Sequence, residues 1–209
     1  GLSGRAMVEG FVHLGDEGYL ESARNAAEWA IKQPVVPNWN YNAFSAHLLA
    51  RLYREAPEKR YLEAALKKLK LGVFPGQMES GRWVDPHNAR TVYHSIMLNA
   101  MLEAYRAMPR NHHEKDKVFH HLYIGTNNII TEILIYGVSS LWQPWAVLCS
   151  FDELVEESQQ ILKIRPNVRK AINRISIVCI SSNGLNTLSW DGPALEGFAT
   201  YLKWRTQKQ

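Results

Sequence analysis

The sequence predicts an all-α protein built from pairs of helices, and three observations support this fold class. A Tyr-Leu-Glu triplet occurs at residues 19–21 and again at 61–63, an offset of 42 residues from position 19 to position 61. The same offset relates Phe11 to Tyr53, so each repeat consists of a helix, a short turn and a second helix. The second helices are amphipathic and the first are apolar nearly all round, which predicts an inner layer of first helices and an outer layer of second helices.

The first two repeats predict four helices. In the second helix of each repeat, leucines and alanines recur at helical spacing, and charged residues occupy the other positions. The first helix of the second repeat carries no charge from Tyr41 to Ala50, which indicates a buried position. The predicted bounds of the four helices are residues 4–14, 17–32, 41–55 and 58–71.

A third repeat follows after a longer insertion. Residues 91–107 carry apolar side chains at helical spacing and predict another inner helix, which Pro109 is expected to end. Residues 112–123 predict an outer helix that is polar and rich in histidine. Because Lys115 and Lys117 are interleaved with its histidines and acidic residues, we expect a solvated face there rather than a metal site.

The chain after Gly125 follows the repeat less closely. Residues 126–136 are apolar and β-branched, which suits a helix or a strand, and the Gln143-Pro144 pair is expected to break that segment. Three more helices are predicted at residues 150–162, with a capping box of Ser150 and Glu153, at 167–180, where 175–178 also suits a strand, and at 193–203. We expect residues 1–209 to form a single helical-hairpin domain, with 126–209 as a divergent C-terminal part.

Composition limits the classes of function. Hydrophobic residues make up 46% of the chain, which indicates a buried core. The formal charge of +4 does not come from a dense basic run with interleaved aromatics, so nucleic acid is not an expected partner, although acidic ligands are mildly favoured. No apolar run approaches the ~18 residues of a membrane span, and no signal peptide is visible, so we expect a soluble protein without a membrane partner. Its compartment stays open, since the start at Gly1 without a Met is compatible with a piece of a longer protein.

The sequence predicts no metal site and no cofactor. Cys149 and Cys179 do not lie in a metal-binding spacing and are expected to be buried free thiols, with a disulfide as the alternative. His87 and His94 are seven residues apart, which places them on one face of a helix but about 10 Å apart along its axis. That distance is too long for one metal ion, so acid/base work or substrate hydrogen bonding is the better prediction.

Residues 81–94 hold the densest set of side chains that can do chemistry. Asp85 suits the N-cap of a helix and Pro86 its first position. The cluster would then lie at the positive end of a helix, where anions bind readily. Its candidate residues are Arg82, Trp83, Asp85, His87, Asn88, Arg90, Tyr93 and His94.

Tryptophan paired with an amide or a carboxylate recurs just before the predicted inner helices. The three segments are Trp39-Asn40-Tyr41, Trp83-Val84-Asp85 and Trp190-Asp191. Inner helices of successive hairpins run in the same direction, so these segments would gather at one end of the protein. Indole faces can stack on the apolar faces of sugar rings, and Asn and Asp can bind their hydroxyl edges. The alternative is that Trp packs between hairpins while Asn and Asp cap helices.

The repeated hairpins and these Trp-, Asn-, Asp- and His-rich loops resemble the α/α-toroid proteins, in particular the six-hairpin glycosidase-like enzymes. The resemblance covers mainly residues 1–125. It implies glycoside hydrolase, uronate lyase or sugar epimerase activity. A complete toroid of that kind has six hairpins and this chain has room for four or five, so we expect (α/α) hairpins that form an incomplete or open toroid.

These observations predict a carbohydrate-active protein that binds or processes an oligosaccharide, including an acidic one, with hydrolase, lyase and epimerase all open. The alternative is a non-catalytic helical-repeat scaffold for a protein partner, and a homo-oligomer stays open. Asp85, His87 and His94 are the predicted catalytic residues, with Tyr93 or Glu79 as a partner and Glu79, Asp191 or Glu196 as a second carboxylate. The predicted substrate-binding residues are Trp39, Asn40, Tyr41, Arg82, Trp83, Asn88, Arg90, Tyr93, Trp190 and Asp191.

Overall fold

The computed structural model describes residues 1–83, 90–137, 142–154, 159–180 and 192–207. Within these ranges the secondary structure is helical apart from turns and an isolated bridge between Gln77 and Trp83, which confirms the all-α class. The helices are α1 Leu2–Leu14, α2 Glu17–Lys32, α3 Trp39–Glu55, α4 Lys59–Gly72, α5 Thr91–Ala107, α6 Lys115–Tyr136, α7 Trp142–Glu153, α8 Gln159–Ile180 and α9 Gly192–Gln207.

The helices pack in two layers. The odd-numbered helices contact one another in series from α1 to α9, and α2, α4, α6 and α8 each pack against the helix before them. The α1–α2 connection shows how tight these turns are: Gly15 takes a left-handed φ of 72°, and the Asp16 carboxylate accepts the N–H of Gly18 at 2.8 Å. Since successive helices reverse direction, the starts of α3 and α5 lie at the same end as the ends of α2 and α4. We call this the front end.

One hydrophobic core contains residues from all the helices named above. Fully buried alanines of α2 (Ala23, Ala27 and Ala30) leave room for the neighbouring helices, and bulkier leucines and methionines of α3 and α5 fill the centre. In the C-terminal part, Trp145 packs against Tyr201 with 4.4 Å between ring centroids. None of the described helices combines the length and apolar composition that a bilayer span needs.

Residues 126–136, for which the sequence leaves helix and strand open, belong to α6. Residues 115–136 form a single helix of 22 residues, so 126–136 is helix rather than strand. Packing explains the glycine at position 125, because a Cβ there would lie 2.7 Å from Cδ2 of Leu98. The absence of a side chain at Gly125 therefore lets α6 approach α5 closely.

The helix predicted over 150–162 is wrong at its start, and residues 155–158 within it lie outside the described ranges. Pro144 lies in the first turn of α7, where backbone N–H groups have no partner within the helix, so it permits a helix start instead of breaking the chain. Ser150 lies inside α7 and is not an N-cap, and that helix ends at Glu153. The predicted helix over 167–180 is confirmed as the second part of α8. Cys149 is buried and free, as expected, while the Cys179 side chain lies outside the described part of the protein.

Candidate functional site

Residues 77–83 form a tight hairpin turn at the front end. The N–H of Met78 donates to the Arg82 carbonyl at 2.9 Å, and the N–H of Gly81 donates to the Met78 carbonyl at 2.8 Å. Gly81 has a φ of 86°, and a Cβ on it would lie 2.1 Å from the carbonyl oxygen of Ile124. Only glycine fits here, because the turn lies directly on the backbone of α6.

One face of α6 holds this turn in place. His121 and Glu132 are eleven residues apart, with Gly125 between them, so all three lie on the same side of the helix. The Gln77 amide donates to the carbonyls of Gly81 at 3.1 Å and His121 at 3.0 Å. The His121 ring donates from Nδ1 to Gln77 Oε1 at 2.6 Å and stacks on Phe74 with centroids 4.0 Å apart. These contacts fix the start of the turn.

Glu132 contacts residues on both sides of the segment that carries Asp85 and His87. Its carboxylate forms an ion pair with Arg82, which precedes the segment, and accepts the Thr91 hydroxyl at 3.1 Å, which follows it. Arg82 is therefore already neutralised by a carboxylate. Arg90 is exposed and forms no ion pair with the described residues, so it is the cation better placed to meet an acidic ligand.

Trp83 and His94 flank residues 84–93 in the sequence and form a buried pair, which we call the root. The Trp83 side chain is fully buried, and its indole N–H donates to the Val73 carbonyl at 2.8 Å. His94 is 1% exposed, and its Nε2 donates to the Trp83 carbonyl at 3.0 Å. The indole face of Trp83 is covered by protein and cannot stack on a sugar in this conformation.

The segment Trp39-Asn40-Tyr41 is the first turn of α3, whose N-cap is Asn38, and not a loop before it. Trp39 is partly buried against Gly76, where a Cβ would lie 2.4 Å from its indole ring. Asn40 is 1% exposed, and its Oδ1 has no hydrogen-bond partner among the described residues. Tyr41 is 59% exposed and presents its ring to solvent.

Five of the predicted site residues lie outside the described ranges: Asp85, His87, Asn88, Trp190 and Asp191. Helix α5 begins at Thr91 with Arg90 as its N-cap, so Asp85 does not cap this helix. The structure brings Arg82, Trp83, Arg90, Tyr93 and His94 together around the root of the loop. Tyr93 is partly buried, and Glu79 is exposed on the turn.

No sequence motif singles out Gln77 and Glu132, and the sequence predicts a solvated outer face for His121. That assignment is wrong for His121, which packs against Phe74 and Gln77. The available signal was the spacing of His121, Gly125 and Glu132 along one side of α6. No group of three or more potential metal ligands occurs in the ranges that the structure describes.

A second polar cluster links the inner helices at the opposite end. Arg51 of α3 bonds Glu9 of α1 at 2.8 Å and also pairs with Glu55, while Arg106 of α5 bonds Glu153 of α7 at 3.0 Å. Burial lowers the pKa of His47, which lies near these arginines, to about 3, so its ring is neutral at pH 7. The cluster ties successive inner helices together by charge.

His121 makes the stability of the loop root depend on pH. Burial lowers its pKa from 6.5 to about 4. Between these values the unfolded chain binds a proton that the folded protein does not, so the free energy of unfolding falls as pH drops from about 6.5 to about 4. His47 adds to the fall in the same direction. We expect the melting temperature to fall across this window, and less steeply in His121→Asn, whose amide can still donate to Gln77.

The control for this measurement is His13→Asn, since His13 is exposed at the end of α1. Its melting temperature should follow the pH profile of the unmodified protein. Equal slopes for all three proteins would show that His121 is not held neutral by its surroundings.

Comparisons with known proteins show the fold and leave the family open. No protein-family model matches the chain, and no curated protein matches its sequence. Its structure is similar to the solved structure of a polysaccharide lyase, with a TM-score of 0.72. The alignment covers 99% of this chain and 73% of that chain, at 13% sequence identity. At this identity the likeness describes the arrangement of helices and not the activity.

Proposed function

We propose that the protein binds an acidic oligosaccharide at the front end and cleaves it next to a uronate carboxylate. The observation that carries this proposal is the likeness over 99% of the chain to the fold of a polysaccharide lyase. It is supported by the turn at residues 77–83, which Glu132 and His121 hold against α6, and by the exposed Arg90 at the start of α5. In the sequence, Asp85, His87 and Asn88 lie between this turn and Arg90.

The chemistry of this residue set suits elimination better than hydrolysis. In elimination, a base removes the proton from the carbon next to the carboxylate, and those electrons form a carbon–carbon double bond. The glycosidic C–O bond breaks, and the leaving oxygen takes up a proton. The step needs a cation that neutralises the carboxylate and a group that transfers protons. Hydrolysis would need two carboxylates across a defined gap.

Each residue has a proposed role in this reaction. Arg90 is the cation for the uronate carboxylate, because Arg82 is occupied by Glu132. His87, Asp85 and Tyr93 are the candidates for proton transfer. Trp83 and His94 are positioning residues, since both are buried and are bonded to each other.

The test combines a thermal-shift screen with an assay for the unsaturated product, using acidic and neutral oligosaccharides. A ligand that binds only the folded protein raises its melting temperature. We expect an acidic oligosaccharide to do so and to yield a product that absorbs ultraviolet light. Gly81→Ala should abolish both effects, because a Cβ at this position meets the Ile124 carbonyl at 2.1 Å.

Gly15→Ala is the matched control. Gly15 has a similar positive φ of 72°, but a Cβ there would meet nothing within 4 Å, and it lies at the opposite end of the protein. Each variant loses about 1–2 kcal/mol from the strained backbone, but only Gly81→Ala displaces the turn. Equal glycan responses in the two variants, or no response in the unmodified protein, would contradict the proposal.

An exposed apolar patch favours a second candidate function, a scaffold for a protein partner. Ile135, Tyr136 and Ile177 are 63%, 83% and 71% exposed. Arg174 of α8 donates to the Leu134 carbonyl at 2.7 Å, which places α8 beside the end of α6. Apolar exposure of this kind is typical of interaction sites. Two results together would support the scaffold. The unmodified protein would respond to no glycan, and the Ile177→Asp variant would no longer bind a protein partner that the unmodified protein binds.

A further inference from the structure

A groove of about 400 Å³ lies at the front end, beside the turn but separate from it. It runs between the end of α2 and the start of α3, and its volume is within the usual range of small-molecule sites, about 300–1,000 Å³. Two aromatic side chains on its wall, Trp29 and Tyr41, are 61% and 59% exposed. Phe44, Ser45, Gln33 and Lys68 also line it. The groove thus combines two largely exposed aromatic side chains with a few polar groups.

Lys68 is an unusual wall residue because it is buried without a carboxylate. It is 4% exposed, and its ammonium donates to the Gln33 carbonyl at 3.1 Å. No Asp or Glu of the described ranges forms an ion pair with it, whereas the buried Arg51 has both Glu9 and Glu55. A buried cation without a counter-charge is unfavourable, and burial lowers the pKa of Lys68 accordingly. A bound anion would remove this cost.

The groove and the turn are joined through the end of α4. Asn42, on the groove wall, donates to the Gly72 carbonyl at 2.9 Å. The indole of Trp83, at the root of the loop, donates to the carbonyl of the next residue, Val73, at 2.8 Å. Adjacent residues of one short segment therefore support both places. Gly76, which follows this segment, packs against Trp39 in the first turn of α3.

We propose that this groove is a second binding subsite, which takes a carboxylate-bearing sugar ring of the same acidic oligosaccharide. The ring stacks on Trp29 and Tyr41, and its carboxylate pairs with the Lys68 ammonium, which still has hydrogen-bond donors to give. The inference rests on the proposed function. It adds a specificity: the groove recognises the charge of a sugar at a distance from the reacting bond.

The test compares the affinities of two probes, a uronic-acid oligosaccharide and the same oligosaccharide after chemical reduction of its carboxyl groups. Lys68→Met removes the charge and keeps most of the side-chain length, and Lys67→Met is its control on the exposed side of α4. We expect Lys68→Met to weaken binding of the acidic probe by about tenfold or more, and that of the reduced probe little. Lys67→Met should leave both affinities nearly unchanged.

A second pair of variants tests the stacking surface independently. Trp29→Ala should weaken both probes by about two- to tenfold, since ring stacking does not depend on the carboxylate. Tyr136→Ala, which removes an aromatic ring that is 83% exposed elsewhere, should weaken neither. The melting temperature of each of the four variants is measured as well, to check that the variant is folded.

The outcomes separate this inference from the proposed function. Binding of the acidic probe that is unchanged in both Lys68→Met and Trp29→Ala, but lost in Gly81→Ala, overturns the groove subsite and leaves the proposed function standing. No binding of either probe to the unmodified protein overturns both. Equal losses in Lys68→Met and Lys67→Met show a general charge effect and also overturn the groove subsite.

Discussion

Replacing Trp83 with alanine is expected to lower the free energy of unfolding by about 3–5 kcal/mol. The side chain is fully buried, so its removal leaves a cavity in the hydrophobic core. It also leaves the Val73 carbonyl without its indole donor. Chemical denaturation followed by fluorescence or circular dichroism measures the change.

The control is Trp29→Ala, because Trp29 is 61% exposed on α2. Its loss should change the free energy of unfolding by no more than about 0.5 kcal/mol. Trp83→Phe should fall between the two, since it keeps most of the volume but not the N–H donor. A small effect of Trp83→Ala, similar to that of Trp29→Ala, would show that Trp83 is not part of the core and would restore it as a stacking candidate.

Asp152→Ala is expected to destabilise the protein by a similar amount, about 3–5 kcal/mol, because it leaves the buried Trp204 indole and the partly buried Arg165 guanidinium without their acceptor. Asp152 is fully buried on α7. Its carboxylate accepts from Arg165 of α8 at 3.0 Å and from the Trp204 indole of α9 at 2.9 Å. One side chain thus joins the three C-terminal helices, and thermal unfolding reports its loss.

This variant also tests whether residues 1–209 behave as one domain. If they do, Asp152→Ala lowers the single melting transition of the whole chain. Asp116→Ala, an exposed carboxylate in the first turn of α6, is the control and should cost no more than about 1 kcal/mol. A separate early transition for the C-terminal helices, with the main transition unmoved, would contradict the single-domain prediction.

Hydrophobic periodicity was sufficient to predict the first three hairpins. It did not predict how far α6 extends or that Pro144 lies inside a helix. The predicted outer helix ends at residue 123, whereas α6 continues through Gly125 to Tyr136, and a Cβ on that glycine would lie 2.7 Å from Cδ2 of Leu98. Pro144 was interpreted as a break, but it lies in the first turn of α7, where proline is tolerated. A local apolar pattern contains neither the packing around α6 nor the position at which α7 begins.

The candidate site was predicted in part, for a related reason. Residues 81–94 were selected because chemically capable side chains are dense there, and the structure gathers the described ones around one root. A high density of polar and aromatic residues does not predict which side chains are buried. Trp83 is a core residue, whereas Trp29, which is not among the predicted site residues, is exposed. Neighbouring lysines show the same limit, since Lys68 is buried and Lys67 is exposed on the same helix.

Hydrogen–deuterium exchange of the whole chain, with and without a uronic-acid oligosaccharide at saturating concentration, tests the central claim most directly. We expect the ligand to slow exchange in peptides that cover residues 77–94, with a smaller effect at 29–45 and none at the α1–α2 turn around Gly15. Slowed exchange confined to the patch of Ile135, Tyr136 and Ile177, or no change anywhere, would contradict an oligosaccharide site at the front end.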